Sequence, residues 1–180
     1  MQRSYNSLID EDWVEICTNL WEVLTGTLLD IRTPLERLYK VITNLKQQDL
    51  LDFRHLSKLP TEKVASILKE AGYIWYNQKA KCFAQYIGFD LETATYEDMK
   101  LIYGIGDKLA SMWMAIVHSS NEHPILDTHV LKFLRSKGYK EKDYGSLSEA
   151  FKVEADKAGL TVLELDRQVV SNGINKRLGK

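Results

Sequence analysis

Ile102-Tyr103-Gly104-Ile105-Gly106-Asp107-Lys108-Leu109-Ala110 is the stretch on which the reading of this chain turns. Two glycines stand between apolar segments of helical spacing, the pattern of two helices joined by a tight turn. Glycine supplies positive φ in such a turn and lets the backbone approach a partner closely. Ile105 is expected to point inward as an apolar anchor. The second helix opens with free N–H groups, which suit a phosphate. Lys108 lies in its first turn, where the dipole disfavours a cation by about 0.3–1 kcal/mol. That positive helix end, with partial burial, would lower the amine's pKa as a nucleophilic lysine requires. Neutralising a phosphate is the competing role.

Asp127 follows Lys108 by 19 residues and opens Asp127-Thr128-His129-Val130. An aspartate before an apolar run is ordinary N-cap chemistry. The spacing allows more. A helix from Asp107 to His118 climbs about 18 Å, and eight extended residues span up to about 27 Å. The intervening loop can therefore return Asp127 to the start of the lysine's helix.

Working outward, helical punctuation dominates. Trp13, Cys17, Leu20, Leu24 and Leu28 recur at three- and four-residue steps, one face of a helix. Thr33-Pro34-Leu35-Glu36 reads as a capping box with proline at the first helical position. Thr61, Thr95, Ser148 and Thr161 are expected to open further helices, and Gly72 and Gly138 to close two. The segment 76–87 reads as helical. No convincing alternating strand is present, so the chain is expected to be all-α.

Composition sets the bounds. The 180 residues are 44% hydrophobic, with four Trp, nine Tyr and five Phe, enough for one globular core or two small lobes sharing one. No run of about 18 apolar residues exists to span a membrane. Nothing behind Met1–Ser7 resembles the apolar core of a signal peptide, so an intracellular setting is expected. Cys17 and Cys82 are isolated in apolar surroundings and read as core residues. The net charge of −1 gives no global sign of nucleic-acid binding. Its distribution is uneven: Asp10, Glu11, Asp12, Glu15 and Glu22 crowd the first segment, whereas Lys132, Arg135, Lys137, Lys140 and Lys142 follow the Asp127 motif. His55, His118 and His123 lack ligand-like spacing, and Trp13, Trp21 and Trp113 fall on core stripes.

These residues resemble the helix-hairpin-helix DNA glycosylases of the endonuclease III superfamily. The hairpin 102–110 matches that family's Leu-Pro-Gly-(Val/Ile)-Gly-x-Lys-x-Ala, and Pro124 with Asp127-Thr128-His129-Val130 matches its Asp-Thr-His segment. Ala71-Gly72-Tyr73 with Asn77-Gln78-Lys79-Ala80-Lys81 is similar to its Gly-Phe-Tyr-x-x-Lys-Ala segment, and Leu24–Leu35 to its entry carrying a DNA-probing residue. The resemblance implies a bilobal all-α fold in residues 1–180. Lobe one would cover about 31–125, and lobe two about 1–30 plus 126–180. It implies a DNA cleft between the lobes, a flipped damaged or modified base, attack of Lys108 on the sugar to form a Schiff base, and an Asp127 that stabilises the transition state and helps activate the amine. Strand nicking by β-elimination would follow.

Gly104, Ile105, Gly106, Arg32, Lys79 and His129 would contact DNA. His129's expected task is a hydrogen bond that fixes its loop. A monovalent cation, Na⁺ or K⁺, would sit on the carbonyls of Tyr103, Gly104 and Gly106. The partner would be duplex DNA, met by a monomer without membrane contact. Tyr103 stands where the family has proline, Arg32 where it has a DNA-inserting glutamine. The four-cysteine iron–sulfur loop is absent, so no such cluster is expected. Two other readings stand beside this one. One is a monofunctional glycosylase or phage-type base-hypermodification enzyme of the same fold; the other is a non-catalytic hairpin module that binds DNA.

Overall fold

The computed structural model describes residues 13–177, with side chains through 172. The acidic residues 10–12 lie outside that range. Among the described residues there are ten α-helices and no strand. They are α1 (Leu20–Leu29), α2 (Leu35–Gln47), α3 (Phe53–Leu56), α4 (Thr61–Glu70), α5 (Tyr76–Phe83), α6 (Tyr96–Lys100), α7 (Asp107–His118), α8 (Thr128–Ser136), α9 (Tyr144–Ala158) and α10 (Val162–Arg177). None of the described helices is long and apolar enough to cross a membrane.

Local chemistry explains most boundaries. Thr95 and Asp98 form a reciprocal capping box on α6, and Thr161 and Glu164 exchange the same bonds at the start of α10. Gly72 and Gly138 take φ of +94° and +92° just past α4 and α8, the left-handed turn that releases a helix end. Three boundaries differ from expectation. Thr33 does not cap α2: its hydroxyl donates to the Ile31 carbonyl, and Pro34 precedes the helix with no side-chain cap. α9 opens at Asp143, whose carboxylate accepts from Ser146 N–H, five residues before Ser148. α5 ends at Phe83 rather than near Ile87.

The stripe from Trp13 to Leu28 is not one helix. Val14–Ile16 is a single 3₁₀ turn, the chain extends at Cys17, and Asn19 caps α1 through its side chain. This break folds Trp13 back over α1, where it is fully buried against Gly26. A Cβ at Gly26 would be driven into the Trp13 indole. Gly26→Ala should therefore destabilise the protein by about 2 kcal/mol, overpacking outweighing the usual helical gain of about 1 kcal/mol. Urea unfolding of the two proteins checks this; a stabilised variant would refute the close packing.

Buried apolar side chains form two clusters. The larger gathers α1–α7 around Leu24, Leu28, Ile42, Phe53, Phe83 and Trp113. The smaller joins α8, α9 and α10 through Val130, Leu134, Phe151, Leu165 and Val169. Trp13, Val14, Cys17 and the buried face of α1, expected in the second lobe, belong to the larger cluster, which Leu163 of α10 also joins. Ile125 belongs to the larger cluster and Leu126 to the smaller, so the chain crosses between cores immediately before Asp127.

Candidate active site between the two helical cores

Asp127 is the N-cap of α8. Its Oδ1 accepts from His129 N–H at 2.7 Å and Val130 N–H at 2.8 Å. Its Oδ2 accepts no hydrogen bond from the described residues. The preceding loop is fixed by Tyr144 of α9, whose hydroxyl donates to Pro124 O at 2.8 Å, accepts from Leu126 N–H at 3.2 Å and lies 3.2 Å from Ser111 Oγ. His129 is the residue expected to fix this loop. The His129 ring makes no hydrogen bond among the described residues, and the tyrosine sixteen positions beyond Thr128 does the work instead. No local pattern ties Tyr144 to that loop.

Lys108 projects from the first turn of α7, half-exposed, and its Nζ pairs with Asp30 Oδ2 at 2.6 Å. Asp30 caps the C-terminal end of α1 and is mostly buried. Each charge sits at the helix end its dipole disfavours, a cation at an N-terminus and an anion at a C-terminus. Their contact offsets both. Two charges misplaced against their helix dipoles are the local sign in the sequence that Lys108 and Asp30 meet.

A cleft of about 540 Å³ opens over these groups. Asp30, Arg32, Pro34 and Lys108 line it from the larger core, and Leu126, Asp127 and Leu131 from the smaller. The expected pair thus faces one cleft, with Asp30 rather than Asp127 as the partner of the amine. Arg32 is exposed at the edge, in a turn closed by Thr33 N–H to Asp30 O, and holds φ of +57°. A non-glycine residue there carries about 1–3 kcal/mol of strain.

The hairpin lies at the start of α7. Gly104 takes φ of +94°, and a Cβ on it would stand 2.5 Å from Cys82 Sγ. Gly106 is extended, exposed, and would meet nothing within 4 Å. Ile105 is buried as expected. Gly104 serves the fold, whereas Gly106 keeps the approach to the α7 N-terminus open. Of the carbonyls expected to face a cation, Tyr103 O accepts from Gln85 Nε2 at 3.1 Å, and Gly106 O accepts from Ala110 N–H at 3.0 Å. Two of the three carbonyls expected to hold a cation therefore already accept one hydrogen bond each.

Lys79, expected on the DNA face, is buried at 8% exposure. Burial pushes its pKa down, while the charges of Asp30 and Lys108 act on it from nearby in opposite directions. The basic run after Asp127 is exposed throughout, but part of it is engaged by neighbouring groups of the protein. Arg135 donates to Tyr139 O and Glu141 O, stapling the loop before α9, and Lys137 faces Glu154 at 3.9 Å. Lys132, Lys140 and Lys142 remain exposed. Cys17 and Cys82 are buried thiols, and burial pushes Cys17 up to about 12. Among the described residues no cluster of three or more His, Cys, Asp or Glu is placed to hold a metal.

No family model matches the chain, and no curated protein matches it by sequence. Among solved structures it is similar to the crystal structure of H. pylori 3-methyladenine DNA glycosylase (MagIII) bound to 1,N6-ethenoadenine. That likeness has a TM-score of 0.62 at 21% identity and covers 82% of this chain and 80% of the other. Ten described helices without a strand, two cores with a cleft between them, and a Gly-x-Gly hairpin beside that cleft belong together: the chain has the helix-hairpin-helix DNA glycosylase fold.

Proposed function

We propose that this protein is a DNA glycosylase that turns a damaged or modified base out of duplex DNA and excises it. The observation that carries the reading is the convergence of Lys108, Asp30 and Asp127 on one cleft between the cores. The relative of the same fold, named for 3-methyladenine and bound to ethenoadenine, supports a modified base as the ligand.

In this reading the open Gly106 and the first N–H groups of α7 receive a backbone phosphate. The extruded nucleotide enters the cleft, where flipping exposes its glycosidic bond. As that bond breaks, its electron pair leaves with the base and positive charge develops on the sugar. Asp127 Oδ2 faces that charge and stabilises it. Lys108 supplies the nucleophile: its ammonium gives a proton to Asp30 and the neutral amine bonds to C1′. The C1′–O4′ bond then breaks with its electron pair on O4′, which takes a proton from the attached nitrogen and leaves a protonated Schiff base; loss of a C2′ proton then expels the 3′ phosphate and nicks the strand.

One observation favours a second reading. The Lys108 amine is engaged with Asp30 at 2.6 Å, and where that pair stays intact a water would attack the sugar instead, releasing the base without nicking. Borohydride reduction separates the two. With Lys108 as nucleophile, the wild-type protein is trapped covalently on DNA carrying an abasic site, and Lys108→Gln is not. Base release that persists in Lys108→Gln, with no trapped adduct in either protein, would establish the hydrolytic course. DNA binding without release of any base from a panel of modified duplexes would leave a binding module.

A further inference from the structure

We propose that the Gln85 side-chain amide does the work a monovalent cation would do at the hairpin, so that the hairpin keeps its DNA-binding shape without a bound ion. The inference rests on the reading that the hairpin meets DNA. Gln85 stands just past α5, half-buried, and grips Tyr103 at both backbone atoms. Its Oε1 accepts from Tyr103 N–H at 3.0 Å, and its Nε2 donates to Tyr103 O at 3.1 Å. The same Nε2 also donates to Cys82 O. The backbone thereby sets the amide's orientation: a lone N–H must meet the oxygen, and two carbonyls must meet the nitrogen.

A cation at the turn would stabilise it by drawing carbonyl oxygens together. Here a fixed N–H dipole already draws the Tyr103 and Cys82 carbonyls to one point, with no net charge. A cation placed on Tyr103 O would meet the positive end of that dipole. The Gly106 carbonyl is likewise engaged by Ala110 N–H. The turn is pinned a second time where Gly104 rests against Cys82 Sγ. Both pins come from the end of α5, so Gln85 is a positioning residue for the hairpin and touches no reacting atom.

Binding of the full chain to a labelled duplex containing a tetrahydrofuran abasic-site analogue, in potassium chloride and in choline chloride at equal ionic strength, tests this. The wild-type Kd should agree within about twofold between the salts, and its melting temperature should be the same in both. Gln85→Leu should bind about tenfold more weakly in either salt, having lost three hydrogen bonds that hold the turn. Gln85→Glu keeps the acceptor for Tyr103 N–H but sets a carboxylate against two carbonyls at pH 8. Protonation restores a donor, and the neighbouring carbonyls favour the neutral acid. Its affinity relative to wild type should therefore recover as pH falls toward about 5.

A wild-type Kd or melting temperature that worsens in choline, or a Gln85→Leu variant that binds as tightly as wild type, overturns the proposal. Failure of the wild-type protein to bind any duplex would instead defeat the DNA reading. The clamp is then judged by hydrogen exchange of the Tyr103 amide, which should be slowed in wild type and fast in Gln85→Leu. Equal exchange in the two overturns it.

Discussion

Asp127→Asn should lower single-turnover base release by about 10²–10³-fold while leaving the unfolding free energy within about 0.5 kcal/mol of wild type. Stability is kept because asparagine is as good an N-cap as aspartate. Its amide oxygen can still accept from His129 and Val130 N–H, the two bonds that Oδ1 makes now. Only the charge is lost. The α8 N-terminus gives back a fraction of a kcal/mol of dipole stabilisation, but under the proposed mechanism the sugar loses the anion that stabilises its developing positive charge. Loss of activity together with lost stability would mean that the aspartate acts through the fold. Activity within about tenfold of wild type would remove Asp127 from the chemistry, since one such electrostatic group is worth more than that. The experiment needs a duplex whose base the protein releases, base release measured at enzyme excess, and urea unfolding of both proteins.

The second large effect concerns stability and separates the two hairpin glycines. Gly104→Ala should destabilise the protein by about 2–4 kcal/mol, the sum of an L-residue forced to positive φ and a methyl forced onto a packed sulfur. The φ of +94° and the 2.5 Å approach to Cys82 Sγ act independently. Cys82→Ala in the Gly104→Ala background should therefore recover part of the loss, the clash being relieved and the backbone strain retained. Gly106→Ala should cost no more than about 1 kcal/mol, the loss of a glycine N-cap, because its φ of −104° is open to any residue and its Cβ would point into free space. That free space is where a phosphate would approach, so the same variant should bind duplex DNA several times more weakly. Equal stability losses at both glycines would show that the hairpin is only a fold element.

Much of the fold was legible in the chain because helix ends are local events. Thr95 with Asp98 and Thr161 with Glu164 sit three residues apart and cap whatever helix follows. Where a cap has a nearby competitor, the local pattern does not decide the helix start. The Thr33 hydroxyl reached the carbonyl two residues back instead of its helix, and Asp143 captured the start of α9 ahead of Ser148. Periodicity misled at Trp13 and Cys17 for a related reason. Asn19 caps a new helix in the middle of an apolar stripe, and burial of Trp13 against Gly26 is satisfied without helical continuity.

Local chemistry along the chain sets the all-α class, the Gly-x-Gly hairpin and the placing of Lys108 and Asp127 at the starts of two successive helices. Those features follow from residues within a few positions of one another, through capping, periodicity and the conformational freedom of glycine. Tertiary structure alone decided which carboxylate meets Lys108, that Lys79 is buried, that Tyr144 holds the loop before Asp127, and that Gln85 grips Tyr103. Each of these joins residues far apart in the chain: Asp30 lies 78 residues from Lys108, and Gln85 lies 18 from Tyr103. Long-range partners are chosen by which helix faces pack together, and a single polar side chain carries no local pattern that announces its partner across a core.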